Sequence, residues 1–211
     1  MRLAIADPPY LGRAHRWYGG GRGPGRDRRQ TGRNGKQPEP HPNAKKWDKP
    51  ETHIALLADL ARSYDGWAMS CASDSLTTLL PTAPPDVTVG IWHRTNAIPG
   101  GGRILRSWEP VLFYVPRTRR NRSQGLMTRD VLTAPVRQQG FLGSKPPEWT
   151  RWVLAVLGYD PGIDDLDDLF PGSGAVTAAA DGLLPLPPQQ PSATPPEEPE
   201  GGVVIPLHRG R

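Results

Sequence analysis

Arg2-Leu3-Ala4-Ile5-Ala6-Asp7-Pro8-Pro9-Tyr10 opens the chain with an apolar run that stops against an acid and two prolines. Leu3 to Ala6 read as a short buried strand. Proline has no N–H to give to a central ladder, so the strand must end at Asp7. An acid is thereby carried on the carboxyl end of a buried strand, the rim at which open α/β sheets bind their ligands.

Working outward, Gly12 to Pro50 lacks apolar periodicity and is rich in arginine, including Arg22, Arg26, Arg28 and Arg29. It reads as a flexible basic loop. Pro50 to Tyr64 has Ile54, Leu57, Leu60 and Ala61 at helical spacing, with Pro50 and Glu51 suited to a first turn. Gly66 to Ala72 reads as a strand with Trp67, Met69 and Cys71 on one face. Ser75 to Leu80 is a short helix closed by Pro81. Val87 to Trp92 and Pro110 to Val115 are further strands. Arg117 to Gly143 is again basic and weakly patterned. Trp149 to Gly158 is an amphipathic helix with Gly158 as its stop. Ile163 to Leu169 is a short strand running into Phe170-Pro171-Gly172-Ser173-Gly174, and Ala175 to Ala180 begins a helix. From Leu183 the chain is rich in Pro, Glu, Gln and Gly, a composition that does not build a core. Strands alternating with helices predict an α/β domain around a largely parallel sheet.

Composition narrows the classes. Of 211 residues 36% are apolar, while 24 glycines and 26 prolines leave long stretches without a core. The formal net charge of +5 suits either a polyanionic partner or simple solubility. Cys71 is the sole cysteine, so an internal disulfide is excluded. Neither a leader segment nor a membrane-spanning run is expected. The five histidines and Cys71 have no metal-ligand spacing, and nucleophile-elbow and Walker-type patterns are missing. The acid pairs Asp164-Asp165 and Asp167-Asp168 read as the start of a strand, with Asp168 aimed at the glycine turn.

Two turns carry chemistry. An exocyclic base amine is a poor nucleophile because its lone pair is delocalised into the ring. Two hydrogen-bond acceptors would draw the nitrogen toward a tetrahedral form and free that pair. Asp7 can supply one acceptor and the Pro8 carbonyl the other, with Pro9 fixing the turn and Tyr10 offering a flat face for a base. The same residues can also be a plain Pro-Pro turn capped by an acid. The glycines of Phe170–Gly174 permit tight turning and close approach to a ligand ahead of a helix N-terminus, or serve only as a strand-to-helix turn.

Together, and in this order, the two turns resemble the DNA amino-methyltransferases of the permuted (β) class. Asp7-Pro8-Pro9-Tyr10 resembles their catalytic tetrapeptide, and Asp168-Leu169-Phe170-Pro171-Gly172-Ser173-Gly174 their cofactor motif. Ser144-Lys145-Pro146-Pro147-Glu148-Trp149 is similar to their Lys-Pro segment. Trp108-Glu109-Pro110-Val111-Leu112-Phe113-Tyr114 is similar to the aromatic-acid-apolar strand between the two. The chain particularly resembles short phage and prophage adenine methylases, which implies a cytoplasmic protein of a bacterial or phage-infected cell.

The resemblance implies a Rossmann-like methyltransferase fold over residues 1–182, with S-adenosylmethionine as cofactor and double-stranded DNA bearing a flipped base as substrate. It implies catalytic roles for Asp7, Pro8, Pro9 and Tyr10. Asp168, Phe170, Pro171, Gly172, Ser173 and Gly174 would line the cofactor site, with Lys145 and Pro146 as its other wall. Asp at the head of the tetrapeptide favours adenine; the cytosine amine and a non-catalytic DNA-binding relic are the alternatives. Basic loop residues 12–50, through Arg22, Arg26, Arg28 and Arg29, would contact DNA. So would a small recognition segment over 116–143, through Arg117, Arg119, Arg120 and Arg122. The family sheet, in the order 3-2-1-4-5-7-6, would lose its strands 3 and 2 here, because residues 183–211 form a Pro-rich tail. About five mostly parallel strands would remain, with the cofactor strand at an edge and the ribose-binding acid unassigned. A weak enzyme, a homodimer covering that edge, or a relic would each fit.

Overall fold

The computed structural model describes residues 1–18, 43–97, 103–121, 127–136 and 145–172, with 174 and 176. Strand β1 (Arg2–Ala6) leads through helices α1 (Ala14–Tyr18), α2 (Ala44–Trp47) and α3 (Pro50–Ser63) to β2 (Gly66–Ser70). Helix α4 (Leu76–Leu79), lying between two 3₁₀ turns, precedes β3 (Thr88–His93) and β4 (Trp108–Tyr114). After a further 3₁₀ turn, β5 (Val131–Thr133), α5 (Pro147–Leu157) and β6 (Asp165–Asp168) follow.

The strands form one sheet in the order β5-β3-β4-β2-β1-β6. β1 pairs in parallel with both β2 and β6, and β5 in parallel with β3, while β4 runs antiparallel to both its neighbours. Five strands therefore end on one rim, and β4, returning from β3 without a crossover, starts there. The five expected strands are joined by a sixth. β5 lies within the basic segment 116–143, where Val131, Leu132 and Thr133 supply the β-branched and apolar residues of a short edge strand.

Period-two alternation divides the core between the two faces of the sheet. Leu3, Ile5, Ala68, Val111 and Phe113 meet Trp149, Trp152, Val153 and Leu157 of α5. Ala4, Ala6, Trp67, Met69 and Leu112 meet Leu57 and Leu60 of α3. Gly90 makes room on the first face: a Cβ there would lie 2.5 Å from the Phe113 ring, which packs edge-on to Trp152. Gly158 ends α5 with φ 67°. Helix α3 buries His53 together with Leu57 and Leu60, while Ala61, expected on the core side, is exposed. His53 Nε2–H reaches the Trp47 carbonyl at 2.8 Å, and burial lowers the imidazole's pKa, so the ring stays neutral.

Residues 12–50 are not wholly irregular. Helices α1 and α2 occupy their ends, and the Asp48 carboxylate accepts from the Ala14 and His15 amides at 2.8 and 2.9 Å, capping α1 from a distance. The expected helix at 175–180, apart from Val176, and the Pro-rich tail lie outside the described residues.

At the opposite rim Arg119 grips Asp164 through two 2.6 Å bonds and donates to the Gly158 carbonyl at 2.7 Å. Asp164 also accepts from the Asp160 amide at 2.8 Å. Burial opposes ionisation of Asp164, but these donors hold its pKa down to about 2. A depressed folded-state pKa gives stability that is complete above the ordinary carboxylate range and lost as pH falls toward 2. Asp164→Asn is expected to cost roughly 2 kcal/mol at neutral pH. It should also flatten the acid arm of a melting-temperature profile measured by calorimetry.

Candidate active site

β1 ends where Pro8 and Pro9 can no longer donate, and the chain turns through Tyr10 into α1, with the Arg13 amide on the Tyr10 carbonyl at 3.0 Å. Beside it β6 ends at Asp168. Ile5 is in register with Asp168, and the Leu169 amide donates to the Ile5 carbonyl at 3.0 Å. The chain leaves β1 toward β2 on one side while β6 lies on the other, so the order of the sheet reverses between these two strand ends. Such a reversal opens a crevice beyond the carboxyl ends. The acid-proline turn and the glycine turn thus share one rim on neighbouring parallel strands.

Lys145 organises the first turn. It is only 9% exposed, and its ammonium lies 3.1 Å from Asp7 Oδ1, 3.0 Å from Glu109 Oε2 and 2.7 Å from the Tyr10 hydroxyl. The Tyr10 hydroxyl in turn donates to Glu109 Oε2 at 2.8 Å. The ammonium is also 5.1 Å from the Tyr10 ring centroid, within cation-π range. Arg94 closes the chain with a 3.0 Å bond to Glu109 Oε1. Asp7, Lys145, Glu109 and Arg94 form an alternating row of charges drawn from β1, the segment before α5, the start of β4 and the end of β3. Trp92 and Trp149 line it, with ring centroids 5.6 and 5.7 Å from the ammonium.

Burial raises the pKa of Asp7 above the ordinary carboxylate value; Lys145 opposes the rise and Glu109 adds to it. Glu109 is also penalised by burial, but Lys145 and Arg94 outweigh this and hold its carboxyl below the usual range. Burial alone would lower the Lys145 pKa, yet Asp7 and Glu109 drive it up. The Tyr10 phenol is raised by burial and then by the Glu109 and Asp7 charges. The phenol of half-buried Tyr18, at the end of α1, is raised by burial and then by the Asp7 charge.

On the second turn the Phe170 amide donates to Asp168 Oδ1 at 3.2 Å. The Gly172 amide bonds the Phe170 carbonyl at 2.7 Å, and the Gly174 amide the Pro171 carbonyl at 3.1 Å. Gly174 has φ 71° and no atom within 4 Å of where a Cβ would stand, which leaves open space over the turn. Phe170 packs edge-on against Trp47 of α2 with centroids 5.2 Å apart. Burial raises the Asp168 pKa, and Asp7 contributes to the rise, as expected for acids on adjacent strand ends.

The sequence reading therefore finds Asp7, Pro8, Pro9, Tyr10, Lys145, Pro146, Asp168, Phe170, Pro171, Gly172 and Gly174 on one rim. Lys145, expected on the cofactor wall, is bonded instead to the acid-proline turn. Sequence reasoning assigns Glu109, Arg94 and Trp92 no role there, and offers Tyr18 only for stacking on a base or packing on the domain. The signal for Glu109 was visible, an acid in a strand otherwise apolar; Arg94 and Trp92 follow only from strand pairing.

Arg117, Arg119 and Arg120 are not brought to this rim. β4 runs antiparallel, so its far end delivers them to the opposite edge of the sheet, where Arg119 holds Asp164 and Arg120 pairs with Asp86 at 2.9 Å. Arg22, Arg26, Arg28, Arg29, Arg122 and Ser173 lie outside the described residues. Among the described residues no group of His, Cys, Asp and Glu could hold a metal ion, and no helix is long and apolar enough to cross a membrane.

No family model and no curated protein matches the sequence. Two solved structures of M1.HpyAVI do match by shape. The complex with SAM has a TM-score of 0.50 at 15% identity, covering 86% of this chain and 77% of that one. The structure described as M1.HpyAVI alone has a TM-score of 0.48 at 17% identity, covering 86% and 76%. With a six-stranded, mostly parallel sheet and helices on both faces, the chain has the Rossmann-like α/β fold of the M1.HpyAVI–SAM complex.

Proposed function

We propose that the protein transfers a methyl group from S-adenosylmethionine to the exocyclic amine of adenine in DNA. The observation carrying this reading is the side-by-side placement of the acid-proline turn and the glycine turn, fixed by the Ile5–Asp168 register. The fold shared with a SAM complex supports it.

The residues present fit the cofactor. The open space over Gly174, the half-buried Asp168 carboxylate and the Phe170 ring give room, an acceptor and an aromatic wall. Asp168, Phe170, Pro171, Gly172, Ser173 and Gly174 would hold it, with Pro146 alongside. S-adenosylmethionine supplies a methyl group activated by its sulfonium. Asp7 accepts one N–H of the amine and the Pro8 carbonyl the other, which frees the nitrogen lone pair toward that methyl. Bound there, the cofactor would supply the methyl group to the amine nitrogen, and the amine proton would leave to Asp7 or to water. Tyr10 would offer its ring as the flat surface against which the extruded base stacks. Lys145 works against burial to lower the Asp7 pKa, which favours the carboxylate as an acceptor.

Expressing the chain in a host whose DNA lacks methylated adenine, then sequencing its modified bases, is expected to show N6-methyladenine at one short motif. Label found in cytosine or in RNA instead would move the acceptor assignment, and DNA without any new modification would remove the reading.

A further inference from the structure

Among the described residues Ile104 and Leu105 form an unusual feature of the same rim. They are consecutive large aliphatic side chains, 80% and 51% exposed, set between the exposed Arg103 and Arg106. Exposure of this kind costs solubility and is usually matched to a partner. The base of their loop is firmly held. The Arg94 amide donates to the Ser107 carbonyl at 2.7 Å, and the Arg94 guanidinium bonds both the Arg106 carbonyl and Glu109. Arg106 also pairs with Asp74, which Arg13 reaches from the turn that follows Tyr10. The aliphatic pair is therefore anchored beside the network that holds Asp7, through Arg94 and Glu109, and to the turn after Tyr10 through Asp74 and Arg13.

We propose that Ile104 and Leu105 are a wedge that enters the base stack of duplex DNA and fills the gap left by the extruded base. The inference rests on the DNA reading above and deepens it. Taking a base out of the stack costs unstacking and unpairing energy. Proteins that kink or open a duplex insert Ile, Leu or similar side chains between base steps. Flanking arginines suit the phosphates on either side of such a step. A second copy of the chain or another protein would equally cover an aliphatic pair, but would not call for the exposed Arg103 beside it; the Arg106 charge is shared with Asp74.

The test is the full chain against its Ile104→Ala/Leu105→Ala variant. Exposed side chains of this kind leave the melting temperature unchanged when truncated. The first measurement is binding, by fluorescence anisotropy, to a matched oligonucleotide duplex and to the same duplex with one abasic site. The wild type is expected to prefer the abasic duplex about tenfold, since its gap is already open, and the variant to lose that preference. The second is tritiated methyl transfer to unmethylated plasmid, intact or heat-denatured. The variant is expected to fall about tenfold on the duplex and to match the wild type on single strands. Equal abasic preference in both proteins, or no preference in the wild type, overturns the wedge. So does an equal loss on duplex and single strands, or a wild type that dimerises through this loop. If the abasic preference follows the wedge but the wild type transfers no methyl group, the methyl-transfer reading fails and the wedge stands.

Discussion

Replacing Asp7 with alanine is expected to cut methyl transfer roughly a hundred- to a thousandfold while leaving the folded chain intact. The side chain supplies one of the two acceptors that would localise the amine lone pair, and the Pro8 carbonyl alone leaves the nitrogen conjugated. Stability should move the other way. Burial makes the Asp7 pKa higher in the folded chain than in the unfolded one. A raised folded-state pKa gives stability that is full below the ordinary carboxylate range and lost as pH rises through the folded value. Ionising Asp7 in the folded chain is therefore a cost, of the sort active sites commonly carry. Melting temperatures at about pH 4 and about pH 7 check this: the alanine variant should gain on the wild type as pH rises. A variant that keeps its label transfer to plasmid DNA would remove Asp7 from the chemistry.

Most of the fold could be read from local pattern. β1 stops where Pro8 and Pro9 run out of donors, and α5 ends at Gly158 where φ turns positive. The order of the five main strands was not in the local pattern; it is the order that the resemblance implied, the family sheet without its strands 3 and 2. β5 was hidden because three residues are too few for a period to register. α1 escaped because its cap, Asp48, sits thirty-odd residues downstream in sequence, where no capping pattern looks for it.

The acids of β6 show the same division. Four carboxylates in five residues look like one feature, yet the structure sends three of them to separate partners. Asp164 goes to Arg119, Asp167 to Arg2 and Tyr64, and Asp168 to the Phe170 amide. β6 is one of the two edge strands among the described residues, and acidic side chains on it discourage pairing with another chain. The arginines of 117–120 show why composition misleads: what reads as a nucleic-acid patch is partly committed to Asp86 and Asp164 on the far rim.

Lys145→Met is expected to move the acid limb of the methyl-transfer rate about one to three pH units upward, and Glu109→Gln to move it downward. Asp7 must be ionised to accept the amine proton. The charged and titratable groups coupled to it are Lys145 before α5, Glu109 on β4, Tyr10 on its own turn, Tyr18 on α1 and Asp168 at the end of β6, with Arg94 acting through Glu109. Lys145 is the cation that lowers the Asp7 pKa, so its loss lets burial and Glu109 raise it further. Glu109 pushes the same pKa up and competes for the ammonium, so neutralising it leaves Lys145 to Asp7. Stability separates the two variants as well. Without Lys145 two buried carboxylates lose their shared cation, at a cost of about 3–5 kcal/mol, whereas glutamine can still accept from Tyr10 and Lys145. Lys145→Arg should recover part of both losses, since the charge returns with a different reach. Single-turnover rates against pH, taken below the melting point of each variant, give the two limbs directly. Shifts of the same sign in Lys145→Met and Glu109→Gln would show that the lysine serves only to hold the fold together.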